Sequence, residues 1–191
     1  MSKGQRAESE LLTVRDFIRY GISLFNKAGL AYGHGTENAF DEAAWLVLET
    51  LHLPVDQLEP YLDARLTKAE KKEVAAILAK RVKTRKPAAY LLNKAYIQGI
   101  PFYVDERVIV PRSFIAEILC SDDAGLIEDP SEISSVLDLC TGSGCLAVLA
   151  VHIFPFAEVD AVDLSADALA VAKKNVKDSG CEEQITLYRG D

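Results

Sequence analysis

Cysteine is scarce in this chain and badly spaced for metal or redox work. Cys120, Cys140, Cys145 and Cys181 include no pair separated by two residues, so zinc knuckles and dithiol motifs are excluded and reduced thiols are expected. Histidine is equally sparse: His34, His52 and His152 fall outside any motif, and each reads as a surface or packing residue rather than a general base. No apolar run approaches the roughly 20 residues that a membrane span needs. The opening residues Met1 to Glu10 lack the apolar segment of a signal peptide, so no membrane partner and a cytoplasmic location are expected. An excess of positive charge is also missing. With 21 Lys and Arg against 29 Asp and Glu, the net charge of -8 argues against a nonspecific nucleic-acid binder and favours a basic protein partner.

The 191 residues, 49% of them hydrophobic and 26% charged, are an ordinary globular mixture, sufficient for one large domain or two small ones. Roughly the first 90 residues read as helices. Thr13 can cap a segment with Val14, Phe17, Ile18, Leu24 and Phe25 at helical spacing, and Gly29 marks its stop. After a loop holding Gly33, His34 and Gly35, the segment from Asn38 to His52 presents Phe40, Ala44, Trp45, Leu48 and Leu51 as a second apolar face. Thr67 and Glu70 form a capping box for a third helix, about Lys68 to Thr84. This helix is expected to bury Val74, Ile77, Leu78 and Val82 and to expose Lys71, Lys72, Lys80, Arg81 and Lys83. The run from Lys80 to Lys86 admits two readings, a phosphate-binding patch or a solvated helix end whose cations suit the C-terminal dipole; the acidic chain favours the second.

The pattern changes near Ala95, where Tyr96 to Val110 gives short β-type runs broken by turn residues, a hairpin linker. Pro111 is expected in the first turn of a helix through Phe114, Ile115, Ile118 and Leu119, ahead of a solvated acidic loop, Ser121-Asp122-Asp123. From Ser135 onward strands and helices alternate: Val136 to Leu139, Leu146 to Ile153, Val159 to Val162, Ala166 to Val176 and Ile185 to Tyr188. Such alternation implies an α/β fold with a parallel sheet and right-handed crossovers. The continuous apolar strands suggest burial on both faces.

One motif carries chemistry. In Asp138-Leu139-Cys140-Thr141-Gly142-Ser143-Gly144, a glycine-rich turn joins strand to helix and lets backbone approach a ligand closely. The helix that follows turns free N–H groups toward a carboxylate or phosphate. Asp163, nineteen residues after Gly144 at the end of the next strand, can accept hydrogen bonds from ribose hydroxyls. Gly142 to Ala147 also fits the dinucleotide fingerprint G-x-G-x-x-A, so a nicotinamide cofactor stays open. Against it, Asp138 would repel a diphosphate and attract the α-ammonium of a methionine moiety, which favours S-adenosylmethionine. Asp191, after the third strand, could accept from an adenine amino group. Tight strand-to-helix packing, with Asp138 and Asp163 as local caps, is the purely structural alternative.

With these residues in view, the sequence resembles the glutamine side-chain amide methyltransferases of the HemK/PrmB type over most of its length. Phe102 to Ser113 is similar to that family's linker and first-helix signature. Its Asp105-Glu106-Arg107 and Pro111-Arg112-Ser113, like Cys140 in place of glycine, resemble the branch acting on large-subunit ribosomal protein three rather than the release-factor branch. The resemblance implies an N-terminal helical substrate-recognition domain over 1–93, a β-hairpin linker over 94–110 and the first half of a Rossmann-like class I methyltransferase domain over 111–191. It implies S-adenosylmethionine held by Asp138, Cys140, Thr141, Gly142, Ser143, Gly144, Asp163 and Asp191, with Arg112 either bracing the pocket or serving a purely structural role. A ribosomal protein is the implied partner, with a release factor as the alternative and ribosome contact only through the substrate. The family's Asn-Pro-Pro-Tyr motif does not occur, since all seven prolines are isolated, so no catalytic residue and no metal ligand is assigned. The chain therefore reads as an N-terminal fragment, inactive alone, that self-associates through an open sheet edge. A nicotinamide-dependent oxidoreductase and a noncatalytic partner-binding module are the competing functions.

Overall fold

A computed structural model describes residues 10–33, 35–121, 127 and 129–191. His34, Asp122 and Asp123 lie outside the described residues, as do the first nine residues of the opening segment. The chain separates into two compact units, Met1–Leu92 and Asn93–Asp191, so the expected linker 94–110 falls within the second unit.

The first unit is helical. Helix α1, Val14–Lys27, starts at Thr13, whose hydroxyl accepts the Asp16 N–H while the Asp16 carboxylate accepts the Thr13 N–H, a reciprocal cap. Helix α2, Ala39–Thr50, is capped by Asn38, and α3, Lys68–Thr84, by the Thr67–Glu70 box. A short helix α4, Ala88–Leu92, completes the unit. Phe17, Phe25, Leu46, Val47, Val74 and Leu78 form its core.

Two expectations fail here, and they fail together. Arg81 is not on the solvent face: it is 1% exposed, its Nε donates to the Glu42 carboxylate at 2.9 Å and its guanidinium also reaches the Ala31 carbonyl. The other Glu42 oxygen accepts the Ala88 N–H. Phe40, assigned to the buried face of α2, is 48% exposed, because the face turned inward is the one that brings Glu42 to Arg81. A buried charge is tolerated only when paired and hydrogen-bonded, and this pair is both.

The second unit begins with the hairpin β1, Ala95–Ile97, and β2, Ile100–Phe102, paired antiparallel. Helix α5, Phe114–Cys120, starts later than expected. Ser113, not Pro111, marks its entry, and the Ser113 hydroxyl accepts the Ala116 N–H. Then follow β3, Ser135–Leu139, α6, Cys145–Ile153, β4, Glu158–Asp163, α7, Ala166–Asp178, and β5, Ile185–Arg189. The strands are parallel in the order β3-β4-β5, with Leu139 opposite Val162 and Val162 opposite Tyr188.

Burial on both faces does not hold. Two successive right-handed crossovers in the same direction place α6 and α7 on one side of the sheet. That side carries Val159, Ala161 and Ile185, all buried, while Leu137 and Leu139 on the opposite side are 60% and 64% exposed. Side chains of a strand alternate between faces, so covering one face leaves the other row open.

Candidate cofactor site

The ends of β3, β4 and β5 lie together, the edge at which open α/β sheets bind ligands. After Leu139 the backbone turns through three positive φ angles, at Cys140 (59°), Gly142 (56°) and Gly144 (76°). The turn is held from both sides. The Thr141 N–H donates to the Val162 carbonyl at 2.9 Å, and the Gly144 N–H closes back onto the Thr141 carbonyl at 2.9 Å.

Glycine is required at 144 for two reasons. Its φ is left-handed, and a Cβ there would lie 3.1 Å from the Ala172 Cβ and 3.2 Å from its Cα, so the loop could not pack against α7. At Gly142 a Cβ would meet only the Cys140 carbonyl, at 3.9 Å, which leaves open space over the loop.

Two carboxylates flank this turn. Asp163, the last residue of β4, accepts the Gly142 N–H at 2.8 Å on one oxygen and the Ser165 N–H at 2.8 Å on the other. An ionised carboxylate has about four acceptor positions, so capacity for two ribose hydroxyls remains. Asp138 is half-buried below the loop, takes the Thr141 hydroxyl at 2.6 Å and is also bonded to the Ala147 N–H. Burial raises its pKa above the ordinary carboxylate range against these hydrogen bonds, and the nearby Asp163 charge raises it further. No ion pair reaches either carboxylate among the described residues.

The remaining expected site residues divide. Ser143 is buried, its hydroxyl 3.0 Å from the Cys145 sulfur, and burial pushes the Cys145 thiol up to about 12, so this thiol stays protonated and inert at neutral pH. Cys140 is exposed on the loop. Asp191 is exposed just past β5, two residues beyond Arg189, which is registered against Asp163. The structure thus brings Asp138, Thr141, Gly142, Gly144 and Asp163 into one bonded constellation and leaves the Asp191 side chain on the surface beside it. His152 is exposed at the end of α6, and His52 lies in the other unit.

Sequence reasoning missed Asn175. This side chain, 2% exposed, accepts the Tyr103 N–H at 2.7 Å and donates to the carbonyls of Tyr103 and Ser143 at 2.9 and 2.8 Å. It ties the chain after the hairpin, the glycine loop and α7 together. The available signal was one polar residue in the otherwise apolar set Ala168, Val171, Ala172 and Val176 of α7. Beside it, Tyr103 donates its hydroxyl to Asp105, and Arg107 grips the same carboxylate at 2.6 Å, which holds the Asp105 pKa well below the usual range. Asn175→Leu is expected to leave the Tyr103 N–H and the Ser143 carbonyl unpaired, each at about 1–3 kcal/mol, and to lower the denaturation midpoint of the second unit accordingly in urea titration.

Asp138 gives a pH-dependent expectation. A carboxyl whose pKa is higher folded than unfolded binds its proton more tightly in the folded state, so stability falls as pH rises from about 3.8 through the folded pKa. Asp138→Asn is expected to remove that slope in thermal melts of the ligand-free chain. It is also expected to weaken binding of a cationic ligand about tenfold, some 1.4 kcal/mol. An unchanged affinity would contradict a role for Asp138 in the site.

Residues 136–191, which hold the glycine turn and both acidic strand ends of the Rossmann-like fold, match the family described as "Methyltransferase domain", a class whose methyl donor is S-adenosylmethionine. Across almost its whole length the chain is similar to proteins named ribosomal protein uL3 glutamine methyltransferase. It is 60% identical to that of Burkholderia pseudomallei over 94% of this chain and 58% of the relative, and 55% identical to that of Bradyrhizobium diazoefficiens over 95% and 59%. The Neisseria meningitidis serogroup B protein of the same name is 54% identical over 97% of this chain and 61% of its own length. The chain thus spans about three-fifths of the length of these curated relatives.

Proposed function

We propose that this chain supplies the substrate-recognition and donor-binding portions of an enzyme that methylates a glutamine side-chain amide of ribosomal protein uL3 in the cytoplasm. The supporting observation is the 52–60% identity to uL3 glutamine methyltransferases over nearly the whole chain, which spans the helical unit as well as the cofactor loop. The donor set fits S-adenosylmethionine better than a dinucleotide. Asp138 and Asp163 sense one another without a compensating cation, so a ligand with a sulfonium and an α-ammonium relieves their repulsion and a diphosphate increases it.

In this reading Asp163 holds the ribose hydroxyls, the Cys140 to Gly144 backbone cradles the methionine moiety, and Asp138 fixes the loop through Thr141 while attracting the ammonium. Asp191 lies near the adenine. S-adenosylmethionine, when bound, supplies an electrophilic methyl group. The contribution of these residues is positioning, which can account for much of the rate of a displacement between two held reactants. No residue of this chain is assigned to the glutamine amide, so the 191 residues alone are expected to transfer no methyl group.

The test joins residues 1–191 to the part of the Burkholderia pseudomallei relative that this chain does not cover. The fusion is incubated with labelled S-adenosylmethionine and purified uL3 or release factor, and products are read by peptide mass spectrometry. Methylation of a uL3 glutamine by the fusion, and none by the 191-residue chain, is expected. Methylation of the release factor in preference to uL3 would sink the substrate assignment.

A further inference from the structure

The net charge of -8 conceals an uneven distribution. Residues 1–92 hold 14 Lys and Arg against 12 Asp and Glu, whereas residues 93–191 hold 7 against 17. Within the first unit the cations concentrate on α3, and the burial of Arg81 against Glu42 removes only one of them. Lys68, Lys72, Lys80 and Lys83 are exposed, with Lys71 half-buried at their margin, and none takes part in an ion pair among the described residues. Of the two carboxylates on the helix, Glu70 is turned to the Thr67 N–H as part of the cap, at 2.7 Å.

Helical spacing sharpens this into a strip. At about 100° per residue, Lys68, Lys72 and Lys83 fall within roughly 60° of one another, Lys80 lies on one flank and Lys71 on the other. Ala76 and Ala79, both exposed, occupy the same strip between Lys72 and Lys83. From Lys68 to Lys83 the strip runs about 22 Å along the axis. Lysines spread along a floor of alanine let an extended polyanion lie close to the helix along its length.

We infer that the lysine strip of α3 binds the phosphate backbone of RNA. A membrane does not fit, because an interfacial helix keeps its apolar face for the bilayer. Here that face is committed to the core through Val74, Ala75 and Leu78. An acidic protein would need specific partners for the lysines, whereas RNA needs only regular negative charge. A chain that is basic in one unit and acidic in the other suits a ribosomal precursor, which offers RNA and basic protein together. That last identification rests on the proposed substrate, but RNA binding itself does not.

Fluorescence anisotropy with a short labelled single-stranded RNA, across about 50–200 mM KCl, tests it on the 191-residue chain. Saturable binding is expected, with a log Kd against log salt slope for three to four released counterions, roughly 2 to 3 in magnitude. The quadruple variant Lys68→Gln/Lys72→Gln/Lys80→Gln/Lys83→Gln should lose at least about tenfold in affinity and most of the slope. The double variant Lys72→Gln/Lys83→Gln should lose about half the slope, which keeps the test valid if the quadruple variant misfolds. Lys173→Gln/Lys177→Gln on α7 should bind as the parent does. No saturable binding, equal binding by parent and lysine-strip variants of retained helicity, or displacement of the RNA by polyglutamate at equal charge would overturn the inference, the last pointing to an acidic protein.

Discussion

Arg81→Ala is expected to unfold residues 1–92 under conditions in which the parent chain is folded. The substitution removes one partner of a buried pair and leaves the Glu42 carboxylate, 2% exposed as a side chain, facing a void with only the Ala88 N–H as donor. Breaking a buried pair from one side costs about 3–5 kcal/mol, a large fraction of the total stability of a small domain. The Ala31 carbonyl loses its guanidinium donor in the same step. Circular dichroism at 222 nm should therefore show the α1–α3 signal melting well below that of the parent. Glu42→Gln/Arg81→Met, which removes both charges and keeps most of the volume, should recover much of the loss. If Arg81→Ala and the double variant melted together with the parent, the buried pair would not be what holds the helical unit together.

Gly144→Ala should abolish ligand binding with less effect on overall stability. The new methyl meets the Ala172 Cβ and Cα at 3.1 and 3.2 Å, and one of these is backbone, so the loop or α7 must move. The residue must also hold a φ of 76°, which costs an L-amino acid about 1–2 kcal/mol. Because the Gly144 N–H closes the turn onto the Thr141 carbonyl, movement there displaces the Gly142 N–H from Asp163. Isothermal titration with S-adenosylhomocysteine is expected to show no heat for this variant and a saturable isotherm for the parent. Gly142→Ala, where the Cβ has room but φ is again left-handed, should retain weakened binding.

These two substitutions also mark what the sequence could and could not reveal. The bounds of α3 were legible because Thr67 and Glu70 announce its start and the apolar spacing persists to Thr84. The glycine turn was legible because its spacing serves backbone geometry directly. Arg81 was misread since a run of cations from Lys80 to Lys86 looks solvated, although its helical spacing from Val74 and Leu78 puts it on the buried face. Only the partner Glu42, 39 residues away, makes that burial tolerable, and no local pattern reports so distant a pairing. Asn175 was hidden for the same reason: its three hydrogen bonds go to backbone atoms 32 and 72 residues distant. The open face of the sheet escaped notice because apolar strands look alike whether one face is covered or two.

The turn from Asp138 to Gly144, with Asp163, is proposed as a site for S-adenosylmethionine. Equilibrium dialysis of the 191-residue chain against radiolabelled S-adenosylmethionine and, separately, NAD tests that assignment. The predicted result is saturable retention of S-adenosylmethionine that Asp163→Ala weakens at least about tenfold, roughly 1.4 kcal/mol or more, with no retention of NAD. Retention of NAD instead, retention of neither, or S-adenosylmethionine binding indifferent to Asp163→Ala would contradict it.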